Sequence, residues 1–267
     1  MITYYHTDDQ EFTEAYPAGS LYSLLQHTEG DVHRELPSRR TFRFTHQGTN
    51  YFAKVHSGVG WLEMAKNWVR LRPPVLGAGD EWNALRRLQD AGLSVPAPIA
   101  LEVHGWNPAR QRSVIVMEAL ENTVTLEDLA KEPISPRDRR RLVIRLADYI
   151  RKMHALGVNH RDLYICHFHL EHGDVTRSLH LIDFHRAQCR AHVPYRWRVK
   201  DLGSLLFSAL DARYTRPDLL CFIRRYSGLS LREALLRDRS MWRGVLRRAR
   251  WLGEREGAPL PLWLTDV

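Results

Sequence analysis

Residues 157 to 185, GVNHRDLYICHFHLEHGDVTRSLHLIDFH, decide how the rest of the chain is read. A long amphipathic segment ends at Gly157, and a short polar loop then carries His160, Arg161 and Asp162. Two apolar stretches come next, Phe168 to Leu170 and Leu179 to Ile182, and the second runs up to Asp183. Periodicity and the glycines between them predict helix, loop, strand, turn, strand, acid.

That order of elements suits phosphoryl transfer of the protein-kinase kind. Such a site needs one carboxylate to orient and deprotonate the acceptor hydroxyl and a second to hold Mg2+ against the nucleotide phosphates. H-R-D followed about twenty residues later by two apolar residues and Asp supplies the pair. Asp162 is the expected catalytic base and Asp183 the expected metal ligand, with His160 and Arg161 as supporting residues of the loop. Five residues beyond Asp162, where protein kinases carry Asn, stands His167. It is taken as a second metal ligand through a ring nitrogen, although imidazole suits Mg2+ less well than oxygen. The triplet after the second strand is Asp183-Phe184-His185 in place of D-F-G.

The upstream sequence supplies the other parts of a nucleotide site. Residues 40 to 45 alternate, 46 to 50 (HQGTN) turn, and 51 to 56 (YFAKVH) alternate again, which predicts a β-hairpin ending near Lys54. Phe52 and Lys54 then point to one side, and Tyr51, Ala53 and Val55 to the other. A helix from Asp80 to Ala91 opens with acids, as its dipole favours, and places Glu81, Leu85 and Leu88 on one face. Glu81 is the expected partner that holds Lys54 on the nucleotide's phosphates. No G-x-G-x-x-G precedes Lys54, so the phosphate-covering turn falls to the glycine-free stretch Leu36 to Phe44.

Strands are expected near Ile99 to Val103 and Ser113 to Met117. From Thr125 onward the pattern is mostly helical, and its best helix starts at Ser135-Pro136 and stops at Gly157. After Asp183 come a basic loop, Arg186 to Arg198, and an apolar helix starting near Val199. Near the start of that helix stands Asp201, a candidate to accept backbone hydrogen bonds from the HRD loop. The fold class is α+β, a protein-kinase-like two-lobed fold. Residues 1 to 119 form an antiparallel β-sheet lobe with one main helix, an N-terminal extension and an inserted amphipathic segment at 59 to 79; residues 120 to 267 form a mostly helical lobe.

Composition narrows the partners. The chain has 267 residues, 44% of them apolar, and a formal charge of +8. A pI near 9.6 draws it toward polyanions such as nucleic acid, anionic lipid or an acidic or phosphorylated sugar. Zinc-finger, helix-turn-helix and RRM patterns are missing, which argues against nucleic acid. No apolar run is long enough to span a bilayer and the first residues are polar, so a cytoplasmic location is expected. Cys166, Cys189 and Cys221 lack metal-ligand spacing and are read as reduced thiols. Two segments join tryptophan to arginine: 59 to 71 with Arg70 and Arg72 at its end, and a last helix within 229 to 251 with Arg243, Arg247 and Arg248. Both are candidates for contact with an anionic membrane surface or with substrate. No long phosphorylatable segment and no A-P-E follows Asp183, which argues against a peptide-substrate platform.

Over roughly residues 30 to 230 the chain resembles the lipopolysaccharide core heptose(I) kinase family of Gram-negative bacteria. The matching motifs are REL at 34 to 36, SRRT at 38 to 41, PVLGA at 74 to 78, EWNA at 81 to 84, NHRDLYICHF at 159 to 168, IDFHRAQ at 182 to 188, RWR at 196 to 198 and KDL at 200 to 202. The resemblance implies ATP and Mg2+ as cofactors. It places the catalytic base on Asp162, the metal on Asp183, the phosphate contact on Lys54 and the lysine's partner on Glu81. It also implies phosphorylation of the 4-hydroxyl of the first heptose of the inner core, on a glycolipid acceptor at the cytoplasmic face of the inner membrane. Protein partners are not named by it. Two alternatives stay open at this point: a kinase of the same fold acting on Kdo, an aminoglycoside or a protein tyrosine, and a basic binding protein that keeps the fold without the chemistry.

Overall fold

The computed structural model describes residues 2–7, 10–58, 60, 77–107, 109–258 and 261. The chain divides into two compact units, one made of Met1–Gln89, Pro96–Leu120 and Phe184–Arg186, the other of Asp90–Val95, Glu121–Asp183 and Ala187–Val267. The expected segment at 59 to 79 falls almost wholly outside the described residues, and Arg70 and Arg72 lie outside them.

The first unit contains β1 (Ile2–Thr7), α1 (Gln10–Ala15), α2 (Leu21–His27), β2 (Asp31–Leu36), β3 (Arg39–His46), β4 (Thr49–His56), α3 (Gly79–Asp90), β5 (Pro98–His104) and β6 (Arg112–Glu118). Its six strands run β1-β5-β6-β4-β3-β2, each antiparallel to its neighbours. The predicted hairpin is β3–β4, with His46 opposite Thr49. Gln47 (φ 46) and Gly48 (φ 81) make the turn, and two successive positive φ values give the hairpin twist that matches right-handed strands. Alternation sorts the two faces. Phe42, Phe44, Tyr51, Ala53, Val55, Val114 and Val116 pack with Phe12, Leu21, Tyr22 and Leu25 into one apolar core, which leaves Lys54 on the opposite face.

The N-terminal residues are more than an extension packed on this lobe. Ile2–Thr7 is an edge strand of the sheet, paired with β5. Buried Glu102 on β5 fastens the chain around the start of α2, accepting from Gly19 N at 2.8 Å and Tyr22 N at 2.9 Å, with His104 Nε2 2.6 Å away. This carboxylate satisfies backbone donors that burial would otherwise orphan.

The second unit contains β7 (Thr123–Thr125), α4 (Leu126–Leu129), α5 (Pro136–Ala155), β8 (Val158–Asn159), a 3-10 turn (Ile165–His167), β9 (Phe168–Glu171), β10 (Leu179–Leu181) and β11 (Gln188–Cys189). After them come α6 (Tyr195–Asp211), α7 (Arg216–Ser227), α8 (Leu231–Arg237) and α9 (Arg239–Glu256). Helix α5 begins as its sequence dictates, with Ser135 Oγ accepting from Asp138 N and Pro136 in the first turn. Leu142, Leu146, Tyr149, Ile150 and Met153 form its buried stripe. It ends where Gly157 takes φ 76, a position at which a Cβ would collide with the Arg190 carbonyl. That close approach belongs to the β8–β11 pairing, Gln188 opposite Asn159, which ties the segment after Asp183 to the root of the HRD loop.

Two helix boundaries differ from expectation. Helix α6 starts at Tyr195, four residues before Val199, because Pro194 sits in extended geometry as its cap; Arg196, Trp197 and Arg198 are therefore helical and not part of a basic loop. The single last helix is two, since Ser230 and Glu233 form a capping box that opens α8 and the chain turns at Asp238 (φ −105, ψ 25) before α9. Among the described residues no helix is long and apolar enough to cross a membrane.

Candidate active site

In the sheet unit, Lys54 and Glu81 meet. Lys54 Nζ lies 2.6 Å from Glu81 Oε1, and the side chains are 10% and 1% exposed. Glu81 stands in the first turn of α3, above buried Leu85 and Leu88. An ion pair this dry is held by geometry, because removing one partner strands the other charge in low dielectric. Glu81 Oε2 has no hydrogen-bond partner among the described residues, so the carboxylate is committed to the lysine through one oxygen.

Two residues that sequence reasoning did not single out share this face. Thr41 is opposite Lys54 and Arg39 opposite His56, so Arg39, Lys54 and His56 project the same way. His56 is pushed down to about 3 by burial, by the Arg39 and Lys54 cations and by His185, so it is neutral. Neither Arg39 Nε nor His56 Nε2 has a hydrogen-bond partner among the described residues. The glycine-free stretch resolves into the strand β2, a Pro37–Ser38 turn and the strand β3, with Leu36 opposite Arg39. Proline offers no N–H, which leaves side chains as the main donors near this turn.

In the helical unit, Asp201 is fully buried on α6. Its Oδ2 accepts from His160 N and its Oδ1 from Arg161 N, both at 2.7 Å, while His154 Nε2 approaches Oδ2 at 3.4 Å. Arg161 has φ 73 and Asp183 φ 66, left-handed values that cost a non-glycine residue on the order of 1–3 kcal/mol unless the surroundings impose them. Asp201 imposes the first. The second comes after a held segment, since Ile182 N donates to His167 O at 3.0 Å and His160 Nε2 lies 2.9 Å from Ile182 O. His160 is buried, which pushes its imidazole down to about 4, with His167 adding to the effect. The neutral ring donates to the Ile182 carbonyl, and this bond links the HRD loop to the strand end carrying Asp183.

His167 is oriented rather than free to rotate. Its Nδ1 lies 2.9 Å from Asp162 O; a carbonyl only accepts, so Nδ1 carries a proton, and in the neutral tautomer Nε2 is the nitrogen with the lone pair. Nε2 is 3.9 Å from Asp183 Oδ2. Asp162 itself lies beside Lys200, Nζ 3.8 Å from Oδ1, a neighbour 38 residues away that no local pattern announces. Arg243 and Arg247 are exposed on α9. Arg248 is half-buried, its stem against Gly203 and its guanidinium 4.6 Å from the Trp251 ring, and burial lowers its pKa.

These features can be set beside known proteins. The model of the lipopolysaccharide kinase (Kdo/WaaP) family matches residues 24–226. The chain belongs to the lipopolysaccharide kinase (Kdo/WaaP) family. Among curated members of that family, the lipopolysaccharide core heptose(I) kinase WaaP of Pseudomonas aeruginosa is 44% identical over 93% of this chain and 96% of its own length. The same enzyme from Escherichia coli K12 is 42% identical over 82% and 86%. A solved structure described as WaaP in complex with acyl carrier protein covers 94% of this chain and 99% of its own, at TM-score 0.81 and 38% identity. The two-lobed α+β fold is thereby shown, and membership makes the chain an ATP-dependent phosphotransferase. One expectation is corrected: the sequence named no protein partner, yet this relative is held by one.

Proposed function

We propose that the chain transfers the γ-phosphoryl group of ATP to the 4-hydroxyl of the first heptose of the lipopolysaccharide inner core. The observation that supports it best is the near full-length likeness to heptose(I) kinases. The geometry of the two half-sites is consistent with that chemistry. Asp162, beside Lys200 and in a loop braced by Asp201, is the carboxylate that receives the acceptor's proton. Lys54, held by Glu81, contacts the nucleotide phosphates, and Arg39 stands in for the missing glycine-loop donors on the same sheet face.

Asp183 and His167 Nε2 are the residues that would hold Mg2+. They fit the ion in part: one carboxylate and one lone pair leave the remaining positions to phosphate oxygens and water, the usual Mg2+ arrangement at kinase sites. When bound, Mg2+ neutralises phosphate charge during transfer. Exposed Arg243 and Arg247 on α9 supply attraction to an anionic bilayer at the cytoplasmic face of the inner membrane. An acyl carrier protein is the protein partner we infer, from the complex formed by the relative. The helical unit has an apolar cavity lined by Leu146, Leu202, Leu206, Leu210, Phe222 and Trp242, chemistry suited to an acyl chain.

Purified protein supplied with ATP, Mg2+ and heptose-bearing core should consume ATP. NMR should then locate one new phosphate on the first heptose at the 4-position. Phosphate on another sugar, on an aminoglycoside or on tyrosine would replace this reading with one of its alternatives.

A further inference from the structure

The residues that follow Asp162 are Leu163, Tyr164, Ile165 and Cys166, and none of them carries a positive charge. The chemistry asks for one there. A phosphoryl group in transit spreads negative charge over three equatorial oxygens, and the acceptor oxygen it bonds to is the one whose proton passes to Asp162. The transfer therefore brings phosphoryl charge close to a carboxylate, and like charges in a part-buried site repel more strongly than they would in water.

Helix α6 delivers a cation to this point. Lys200 Nζ lies 3.8 Å from Asp162 Oδ1, and the two side chains are 22% and 20% exposed. At that separation the charges attract, but no hydrogen bond joins the two atoms. Partial burial also spares the pair much of the screening that weakens ion pairs on an open surface. The approach is fixed by the next residue along α6. Asp201 accepts from His160 N and Arg161 N at 2.7 Å, so the bonds fastening the HRD loop to the helix lie one residue from Lys200 and one from Asp162. Arg161 and Arg248 bring charge to the same region, but their guanidinium groups lie against indoles, Arg161 5.0 Å from the Trp197 centroid and Arg248 4.6 Å from that of Trp251. Lys200 Nζ stands farther off, 5.8 Å from the Trp197 centroid.

We propose that Lys200 is a catalytic residue whose ammonium group binds the phosphoryl oxygens during their passage to the acceptor. The acceptor oxygen forms a bond to the γ-phosphorus, and the bond from that phosphorus to the β,γ-bridging oxygen breaks, leaving its electron pair on ADP. The hydroxyl proton goes to Asp162, and Lys200 keeps its own throughout. Lysine suits the task, because its compact charge rides on a flexible stem and turns any of three donors toward a moving oxygen. The contact favours the transition state over bound ATP, since the phosphoryl group comes closest to Asp162 as it transfers. The inference rests on Asp162 receiving the acceptor's proton, as read above, and holds whichever sugar carries the hydroxyl.

Lys200→Met removes the charge from a partly exposed side chain and should leave the urea midpoint unchanged. Its kcat should fall about 10²- to 10³-fold, the loss that follows removal of one electrostatic contact to a transition state, with Mg·ATP affinity unchanged. Lys200→Arg should keep part of the rate, and ethylammonium should restore some of it to Lys200→Ala. Calorimetry with ADP, Mg2+ and aluminium fluoride, a mimic of the phosphoryl group in transit, needs neither turnover nor acceptor. Lys200→Met should bind this mimic more weakly while binding ADP as the parent does. The same substitution in an Asp162→Asn background should still weaken the mimic. Disappearance of the effect in that background would make Lys200 a positioning residue for Asp162 and overturn the proposal, as would an unchanged kcat or an equal weakening of ATP and mimic. If the unaltered protein phosphorylates no heptose, the acceptor reading fails; an unchanged affinity of Lys200→Met for the mimic would separately sink the role of Lys200.

Discussion

Replacing Asp201 by asparagine should loosen the loop that carries Asp162 while leaving the side-chain volume unchanged. Each carboxylate oxygen accepts a 2.7 Å hydrogen bond from a backbone N–H, one from His160 and one from Arg161. Hydrogen bonds to a charged acceptor contribute about 1.5–3 kcal/mol each. Asparagine keeps one acceptor oxygen, and whichever way its amide turns, an NH2 group faces the other backbone donor. One bond is lost and a buried donor is left unsatisfied, for a total of about 3–5 kcal/mol, set against a domain stability of about 5–15 kcal/mol. The loss should be partly local, because Arg161 holds φ 73 only while its N–H is fastened. Urea unfolding with hydrogen exchange at residues 158 to 163 measures both parts. A variant within about 1 kcal/mol of the parent, with unchanged protection of the His160 and Arg161 amides, would refute the reasoning.

Asp162→Asn should leave Mg·ATP binding intact and lower turnover by about 10²- to 10⁴-fold; near-normal turnover in a regime limited by phosphoryl transfer would remove the base assignment. Asp183→Asn should change the Mg2+ dependence instead, and an unshifted metal titration would count against it. Lys54→Ala and Glu81→Ala should each impair nucleotide binding, and the double variant should lose less than the sum, since the two share one contact; additive losses measured by nucleotide titration would separate them. His160 sits at about 4 in the fold against an ordinary 6.5, so the unfolded chain binds more protons between those values. Its contribution is therefore complete above about pH 6.5 and is lost as pH falls toward 4, amounting to about 3 kcal/mol. Denaturant midpoints between pH 7 and 4 should fall accordingly, less steeply in His160→Asn, and parallel profiles would exclude His160 as a source. Replacing exposed Arg243 and Arg247 by serine should reduce sedimentation with anionic liposomes and spare activity on a lipid-free acceptor, whereas equal loss on both acceptors would put these residues in the fold or the cleft.

What the sequence determined by itself was whatever neighbouring residues settle among themselves. The hairpin around Lys54 is written in strict alternation and an HQGTN turn, the start of α5 in Ser135-Pro136, and its end in Gly157, because caps, turns and periodicity are local energies. The order of H-R-D and the later Asp pointed to phosphoryl transfer for the same reason, and eight short motifs pointed to the family. Tertiary structure decided what depends on register and helix packing. Arg39 reaches the Lys54 face only because β3 places it opposite His56. Ile2–Thr7 becomes a strand only because β5 offers it an edge. Lys200 meets Asp162, and Trp197 meets Arg161, only once α6 is packed against the HRD loop. Such contacts join residues tens of positions apart, and no local propensity encodes them; they appear when burial of the apolar faces fixes which strand and which helix lie side by side.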